Sequence, residues 1–196
     1  MKKIAVLVSG GGTNLQALID AWKKGELGGG ELSLVVSSVQ DAAALQRAKN
    51  AGIKTITIER VKFKDASAFD SLLAETLLEH KTDLVVLAGF LCVLGPQALN
   101  SFRNKIINVH PSLIPSFCGK GFYGLRVHEA ALEYGVKITG ATVHYVTEVI
   151  DGGKIILQKA VEIMPGDTPE SLQQRVMREA EWVILPKAVA MLCEEK

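Results

Sequence analysis

The sequence predicts an α/β protein in which a mostly parallel, twisted sheet carries helices on both faces and ends in an antiparallel part. Short apolar segments alternate with segments of helical periodicity as far as residue 109, which is the pattern of parallel βαβ units. Later in the chain, two segments rich in β-branched residues flank an Asp-Gly-Gly turn, which is typical of an antiparallel hairpin. The chain has 196 residues, of which 48% are hydrophobic and 22% charged, so we expect a single domain over residues 1–196.

The first part of the chain predicts three strands and two helices. The first strand is uniformly apolar, as in a strand buried on both faces, and it stops at a glycine run. Each helix places apolar residues at helical spacing and ends at a glycine. In chain order, the elements are strand 3–8, helix 14–24, strand 32–38, helix 41–52 and strand 53–58.

The middle of the chain continues the alternation with helix 65–80, strand 83–90, helix 96–104 and strand 106–109. Residues 110–124 then contain two prolines, three glycines and no periodicity, which predicts a long loop. Loops of this length inside a compact domain are usually functional.

The last part predicts a hairpin followed by a helix. Strands 138–149 and 154–163 are joined by the Asp-Gly-Gly turn. The closing helix begins at a cap formed by Asp167 or Thr168. We expect Pro186 to kink or divide it, because proline removes a helical hydrogen bond.

Composition excludes several classes of protein. The net charge is +1, which argues against a nucleic-acid partner or a membrane surface. The three cysteines have no CxxC spacing, as in reduced cytosolic proteins. The N-terminal apolar run is too short for a secretory signal, and no apolar stretch is long enough to span a membrane. We therefore expect a soluble domain in the cytoplasm.

A glycine-rich loop, Ser9 to Asn14, lies between the first predicted strand and helix. Glycines at a helix N-terminus expose backbone N–H groups, which bind anions. The loop lacks the third glycine of a dinucleotide fingerprint and the GK[ST] of a P-loop, so a single phosphate group fits it better. A tight turn that needs glycine only for its backbone angles remains an alternative.

A second candidate site lies at the end of strand 106–109. Asn108 and His110 are two residues apart, so on a strand they face the same side. An amide N–H can stabilise an oxyanion, and an imidazole can exchange a proton near neutral pH. A strand end with a merely structural histidine is the alternative.

Asp151 lies in the Asp-Gly-Gly turn, where an aspartate is more often structural. It gains a catalytic interpretation if the fold brings it to His110, because a carboxylate raises the pKa of a neighbouring imidazole. Of the other histidines, His128 lies near the loop and is a candidate lining residue, whereas His144 alternates within a strand and is expected to be core or supporting. No histidine pair has metal-ligand spacing, so we predict no metal.

Together, the segments SGGGTNLQALID, DLVVLAGFLCVL, INVHPSLIP and VIDGG resemble the phosphoribosylglycinamide formyltransferases, over about residues 3–190. The resemblance implies a Rossmann-like formyltransferase fold, 10-formyltetrahydrofolate as co-substrate, a glycinamide ribonucleotide acceptor and no metal. It implies a phosphate-binding N-terminal half over about residues 1–100 and a folate-binding, catalytic half over about 101–196. A monomer or weak homodimer is expected.

The resemblance also implies roles for individual residues. The catalytic residues would be Asn108, His110 and Asp151. The ribonucleotide would contact Gly12, Thr13, Asn14 and Glu181. The folate would contact Leu91, Cys92, Val93, Leu94, Asn108, Thr147, Glu148, Val149, Ile150 and Asp151.

Four features depart from the family pattern. Cys92 stands where the family usually has an arginine, and Trp182 where it has a histidine. The loop after HPSLIP is longer, and Arg126 replaces the first histidine of a family pair whose second is His128. The longer loop would carry Lys120 or Tyr123 towards the site.

Other functions compete with formyl transfer to the ribonucleotide. A 10-formyltetrahydrofolate hydrolase would use the same Asn, His and Asp but carries an N-terminal regulatory domain, and the first strand here starts at residue 3. A methionyl-tRNA formyltransferase would need an RNA-binding domain and a basic surface. A non-catalytic binding module would have no need for Asn108 and His110 on one strand.

Overall fold

In the computed structural model, which describes residues 1–195, seven strands form one sheet. The strands are β1 (Lys3–Val8), β2 (Glu31–Ser37), β3 (Lys54–Thr57), β4 (Leu84–Leu87), β5 (Ile106–His110), β6 (Ile138–Tyr145) and β7 (Ile155–Glu162). Their order is β3-β2-β1-β4-β5-β6-β7. The first five are parallel, and β6 is antiparallel to both β5 and β7. The predicted mostly parallel sheet with an antiparallel C-terminal part is confirmed.

Helices cover both faces of the sheet. They are α1 (Thr13–Lys23), α2 (Ala43–Asn50), α3 (Ala66–Glu79), α4 (Pro96–Ser101), α5 (Leu125–Tyr134), α6 (Pro169–Val176) and α7 (Trp182–Glu194), with a 3₁₀ turn (Arg60–Lys62) and a π-helical turn (Met177–Glu181). The core has two parts, one on each face, and alternate residues of β1 contribute to both. A strand buried on both faces needs an unbroken apolar sequence, which explains the run in residues 3–8. Among the described helices, none has the length and apolarity needed to cross a bilayer.

Three features differ from the sequence-based expectations. Helix α5 was not predicted, and it follows the long loop directly. The closing helix is divided, as expected, but at the π-helical turn Met177–Glu181, which precedes Pro186, whereas Pro186 itself lies inside α7. A proline ring crowds the carbonyl four residues earlier, here that of Trp182, so it disturbs the turn on its N-terminal side. Strand 138–149 is also shorter than expected, since β6 ends at Tyr145.

Candidate active site

The strand order creates a cleft at the carboxyl ends of β1 and β4. The chain leaves β1 towards β2 on one side and returns to β4 on the other, which makes this the switch point of the sheet, where α/β proteins bind ligands. The segments after these two strands are tied together by two hydrogen bonds. The Ser9 N–H donates to the Gly89 carbonyl (3.1 Å), and the Leu91 N–H donates to Ser9 Oγ (2.9 Å).

A cavity of about 600 Å³ opens at this cleft, a volume typical of a small-molecule site. It is lined by all the residues that the sequence assigns to the site: Gly12, Thr13, Asn14, Leu91, Cys92, Val93, Leu94, Asn108, His110, Thr147, Glu148, Val149, Ile150, Asp151 and Glu181. Segments from both halves of the chain therefore meet around one space. No group of three or more His, Cys, Asp or Glu side chains suited to a metal ion occurs within residues 1–195.

The glycine loop ends in a left-handed residue at the start of α1. Gly12 is the N-cap with φ of 73°. The first hydrogen bond of the helix runs from the Gln16 N–H to the Gly12 carbonyl (2.9 Å). The N–H groups of Thr13 and Asn14 precede that bond, so they have no acceptor within the helix. These groups and the positive end of the helix dipole form a site suited to an anion.

Helix α2 supports this loop from outside the cavity. The Arg47 Nε–H donates to the Gly11 carbonyl (2.8 Å), and Arg47 Nη1 donates to Gln16 Oε1 (3.1 Å). The Ala44 N–H donates to the Gly10 carbonyl (3.0 Å). Arg47 thus fixes the loop and adds positive charge beside it. Nothing in the spacing of the sequence linked Arg47 to the loop, because the contact depends on how α2 packs.

Substituting Gly12 by alanine should displace this loop. A Cβ at Gly12 would lie 2.6 Å from Cβ of Ala44 and 2.8 Å from its Cα, and φ is positive, so the variant is strained whatever its surroundings. We expect the KM for the phosphate-bearing substrate to rise about 10- to 100-fold, since such strain costs about 1–3 kcal/mol.

Gly10→Ala is the matched control, because a Cβ there meets no atom within 4 Å. It should raise this KM much less than Gly12→Ala does. Steady-state kinetics with each substrate varied in turn measures the difference. A Gly12→Ala protein whose affinity changes only for the other substrate would contradict the assignment of this loop to the phosphate.

Strand β5 and the turn after β6 bring the three predicted catalytic residues together. Asp151 Oδ2 lies 3.6 Å from His110 Nδ1 and accepts a hydrogen bond from the Gly119 N–H (2.9 Å). The other ring nitrogen of His110, Nε2, lies 2.9 Å from the Phe117 carbonyl oxygen. Both neighbours of the ring are acceptors, so this geometry suits an imidazolium that donates from both nitrogens.

Burial opposes that protonation. It lowers the pKa of His110 below the ordinary value, and the Phe117 carbonyl and Asp151, which raise it, do not compensate. Asp151 thus raises the pKa of His110, as expected from its charge, but the loss of solvation on burial is the larger effect and the net shift is downward. Burial also raises the pKa of Asp151, yet the nearby imidazoles of His144 and His110 and the hydrogen bond from the Gly119 N–H outweigh it, so the pKa of Asp151 lies below its usual range.

His144, for which the sequence indicated a core or supporting role, lies beside this cluster. It is paired with Asn108 in the β5–β6 register, and its Nε2 lies 3.3 Å from Asn108 Nδ2 and 3.6 Å from Asp151 Oδ1. Its Nδ1 lies 2.8 Å from the Tyr145 carbonyl, which only accepts. In the neutral ring, Nδ1 therefore carries the proton and Nε2 accepts from the Asn108 amide. The alternation of residues 138–145, together with the pairing of His144 with Asn108, places both side chains on the same face of the sheet.

Asn14 and Glu181 form a buried pair at the far end of the cavity. Asn14 Nδ2 donates to Glu181 Oε2 (2.7 Å). Glu181 lies on the π-helical turn, a type of turn that is frequent at functional sites. Complete burial raises the pKa of Glu181 to about 7, although the Asn14 amide lowers it. The carboxyl group is therefore partly protonated near neutral pH, and Asn14 Oδ1 is buried without a partner.

The raised pKa of Glu181 predicts how stability depends on pH. The pKa is about 7 in the folded protein and about 4.5 when unperturbed, so stability falls as the pH rises from the lower to the higher value. Glu181→Gln removes this penalty, which is on the order of a few kcal/mol. We expect Tm to rise relative to the wild type at pH 8 and to change little at pH 5.

Thermal unfolding of both proteins at the two pH values measures this effect. Glu179→Gln neutralises an exposed carboxylate on the same turn and should show no such pH-dependent gain. An equal change in Tm at pH 5 and pH 8 for Glu181→Gln would contradict the raised pKa.

An apolar rim borders the catalytic cluster. Leu91, Val93 and Val149 are 68%, 72% and 67% exposed, and all three line the cavity. Exposed apolar side chains grouped beside a cavity are typical of a ligand-binding groove.

Asp70 positions the first of these rim segments. Asp70 is buried, and its carboxylate accepts hydrogen bonds from the N–H groups of Gly95 and Gln97, both at 2.8 Å. These are the first backbone donors of α4, so Asp70 satisfies them from another helix. The segment Leu91 to Leu94 is thereby held between β4 and a fixed helix start.

The long loop packs over the His110–Asp151 pair. Lys120 and Tyr123 line the cavity, as expected. Arg126 lies over the Tyr123 ring, with its guanidinium carbon 5.0 Å from the ring centroid. Burial and the nearby Asp151 raise the pKa of the Cys118 thiol, so this cysteine is poorly suited to nucleophilic attack.

Comparisons with known proteins agree with this geometry. A family model described as formyl transferase matches residues 2–189. The phosphoribosylglycinamide formyltransferase of Haemophilus influenzae is 40% identical over 99% of this chain and 88% of its own length. The chloroplastic phosphoribosylglycinamide formyltransferase of Vigna unguiculata is 38% identical over the whole chain, which spans 62% of that relative.

A solved structure shows the same architecture. Glycinamide ribonucleotide transformylase 1 from Symbiobacterium toebii superimposes with a TM-score of 0.93 at 42% identity, covering 99% of this chain and 88% of the other. The superposition therefore includes nearly all of this chain and most of the other. The chain belongs to the formyl transferase family.

Proposed function

We propose that the protein transfers the formyl group of 10-formyltetrahydrofolate to the amine of 5-phosphoribosylglycinamide, giving N-formylglycinamide ribonucleotide and tetrahydrofolate in purine biosynthesis. The observation that carries this proposal is that one cavity joins an anion-binding helix start, an Asn–His–Asp cluster and an apolar rim. The names of similar proteins support the same substrates.

The ribonucleotide would bind along the N-terminal half of the site. Its phosphate would accept hydrogen bonds from the N–H groups at the start of α1, next to Gly12, Thr13 and Asn14. The ribose hydroxyls would then lie near Asn14 and Glu181, where a buried amide oxygen without a partner and a carboxyl group offer acceptors.

The folate would occupy the C-terminal half. Its flat pterin ring would lie between the segments Leu91–Leu94 and Thr147–Asp151, whose apolar side chains form the rim. Cys92, where the family usually has an arginine, leaves backbone groups to make the polar contacts on that side. Asn108 and Asp151 would meet the end of the cofactor that carries the formyl group.

Transfer would proceed directly through a tetrahedral intermediate. The lone pair of the amine attacks the formyl carbon, and the carbonyl electrons move to the oxygen. Asn108 Nδ2 and a protonated His110 would stabilise that oxyanion. In this structure, His110 Nε2 faces the Phe117 carbonyl. The oxyanion would either share the Nε2–H donor with that carbonyl or take the place of the carbonyl as its acceptor. The carbon–nitrogen bond to the folate then breaks as a proton passes from the amine to the folate nitrogen.

Asp151 and His144 would assist this step through the groups they contact. Asp151 is 3.6 Å from both imidazoles, so its negative charge favours the protonated form of His110 against the effect of burial. His144 accepts from the Asn108 amide and thereby fixes its orientation.

The expected setting is the cytoplasm, with small-molecule substrates and a monomer or weak homodimer. The three cysteines are unpaired, which fits a reducing compartment.

The competing hydrolysis of 10-formyltetrahydrofolate would use the same cluster with water as the acceptor. Initial rates of tetrahydrofolate formation, measured with and without the ribonucleotide, separate the two reactions. Formation that depends on the ribonucleotide supports the transferase. Equal rates in both samples would refute it in favour of the hydrolase.

A further inference from the structure

His128 is a buried imidazole that the mechanism above does not use. It lies in the first turns of α5, is 0% exposed and belongs to the wall of the active-site cavity. Neither of its ring nitrogens has a hydrogen-bond partner within the described structure. A buried polar group without a partner is costly, so a site that keeps one usually uses it.

The helix that carries this side chain is packed into the fold. Val127 and Ala131 are also completely buried, and Ala131 follows His128 at the i, i+3 spacing of one helix face. Helix α5 packs against α6. His128 is therefore part of the buried wall of the cavity and does not extend into solvent.

The charge state of His128 decides which kind of ligand group its ring can bind. Burial lowers its pKa, and proximity to His110 lowers it further, to about 4. The ring is thus neutral at physiological pH, with one nitrogen that donates and one that accepts. An accepting nitrogen would repel an oxyanion, but it matches the N–H of a neutral primary amine. The lone pair of such an amine stays free for attack.

We propose that His128 binds the acceptor substrate by accepting a hydrogen bond from its primary amine, which aims the amine lone pair at the formyl carbon. This inference rests on the proposed function and names a contact for its nucleophile. His128 takes no proton in the step: the amine proton passes to the folate nitrogen, as above. The ring orients the nucleophile while His110 and Asn108 act on the oxygen.

Nuclear magnetic resonance of the ring nitrogens tests the contact without turnover. Wild-type protein containing ¹⁵N-labelled histidine is titrated with glycinamide ribonucleotide and, separately, with ribose 5-phosphate, which lacks the amine. Signals that disappear in His128→Leu are assigned to His128. The accepting nitrogen should shift with the ribonucleotide only. The His80 signals serve as an internal control, because His80 lies outside the cavity residues.

Kinetics gives a second readout. His128→Leu should lower kcat/KM for the ribonucleotide about 10- to 100-fold, the effect of losing one buried hydrogen bond. The KM for the folate should stay within about twofold, since the hydrogen bond lost is to the other substrate. Tm should not fall, because leucine removes a buried group without a partner. His80→Leu controls for the loss of an imidazole elsewhere.

The possible outcomes separate this inference from the proposed function. A wild-type protein that neither binds the ribonucleotide nor formylates it refutes both. If the wild type binds and formylates it, equal shifts with both ligands, or no shift with either, would overturn the role of His128 alone. Full activity of the His128→Leu protein would overturn it as well.

Discussion

Asn108→Ala should reduce kcat about 10²- to 10³-fold, which corresponds to about 2.7–4 kcal/mol for loss of one oxyanion donor. The Asn108 amide lies on the same face of β5 as His110 and is oriented by His144 at 3.3 Å. It would contact the formyl oxygen most strongly after the charge has developed. The loss should therefore appear in kcat, with the KM values of both substrates little changed.

Asn100→Ala is the matched control for this variant, since Asn100 is exposed on α4 and outside the cavity residues. It should keep wild-type kinetics. Steady-state rates of both proteins, with Tm to verify folding, give the comparison. An Asn108→Ala protein that retains kcat within about tenfold would be inconsistent with a major oxyanion contact.

Asp151→Asn should lower activity at neutral pH at least tenfold and move the pH profile. Asp151 raises the pKa of His110 against the opposing effect of burial. Without this negative charge, the pKa of His110 falls further, and less of the ring is protonated at pH 7. The limb on which activity decreases with rising pH should therefore move to lower pH.

The backbone conformation at Asp151 can accept asparagine without added strain. Asp151 has φ of 54°, a left-handed conformation that asparagine adopts at least as readily as aspartate. Glu133→Gln, which neutralises an exposed carboxylate on α5, controls for the change in net charge. If activity drops but the falling limb stays at the same pH, Asp151 does not act through the protonation of His110.

The sequence predicts the sheet well because local and tertiary preferences agree there. The central strands are buried on both faces, so their apolar runs, such as residues 3–8, are visible without knowledge of the fold. The candidate site could be predicted for a related reason. Gly12 and Asn108 follow or end buried strands, and in a parallel sheet those ends meet at one edge.

The features that could not be predicted from the sequence depend on contacts between residues that are distant in the chain. Arg47 supports the glycine loop from α2, and the role of His144 depends on the register of β5 and β6. Helix α5 was missed because it follows a long irregular loop directly, and its first turns carry Arg126 and His128 among apolar residues. The lowered pKa of His110 could not be foreseen, because it results from the degree of burial and not from the identity of its partner.

The fate of a labelled formyl carbon tests most directly whether the formyl group passes from the folate to the amine of the ribonucleotide. The protein is incubated with 10-[¹³C]formyltetrahydrofolate and glycinamide ribonucleotide, and ¹³C nuclear magnetic resonance identifies the labelled product. The label should appear in the formamide carbon of N-formylglycinamide ribonucleotide, in amounts equal to the tetrahydrofolate formed. Label that appears instead as free formate, at the same rate whether or not the ribonucleotide is present, would contradict the account.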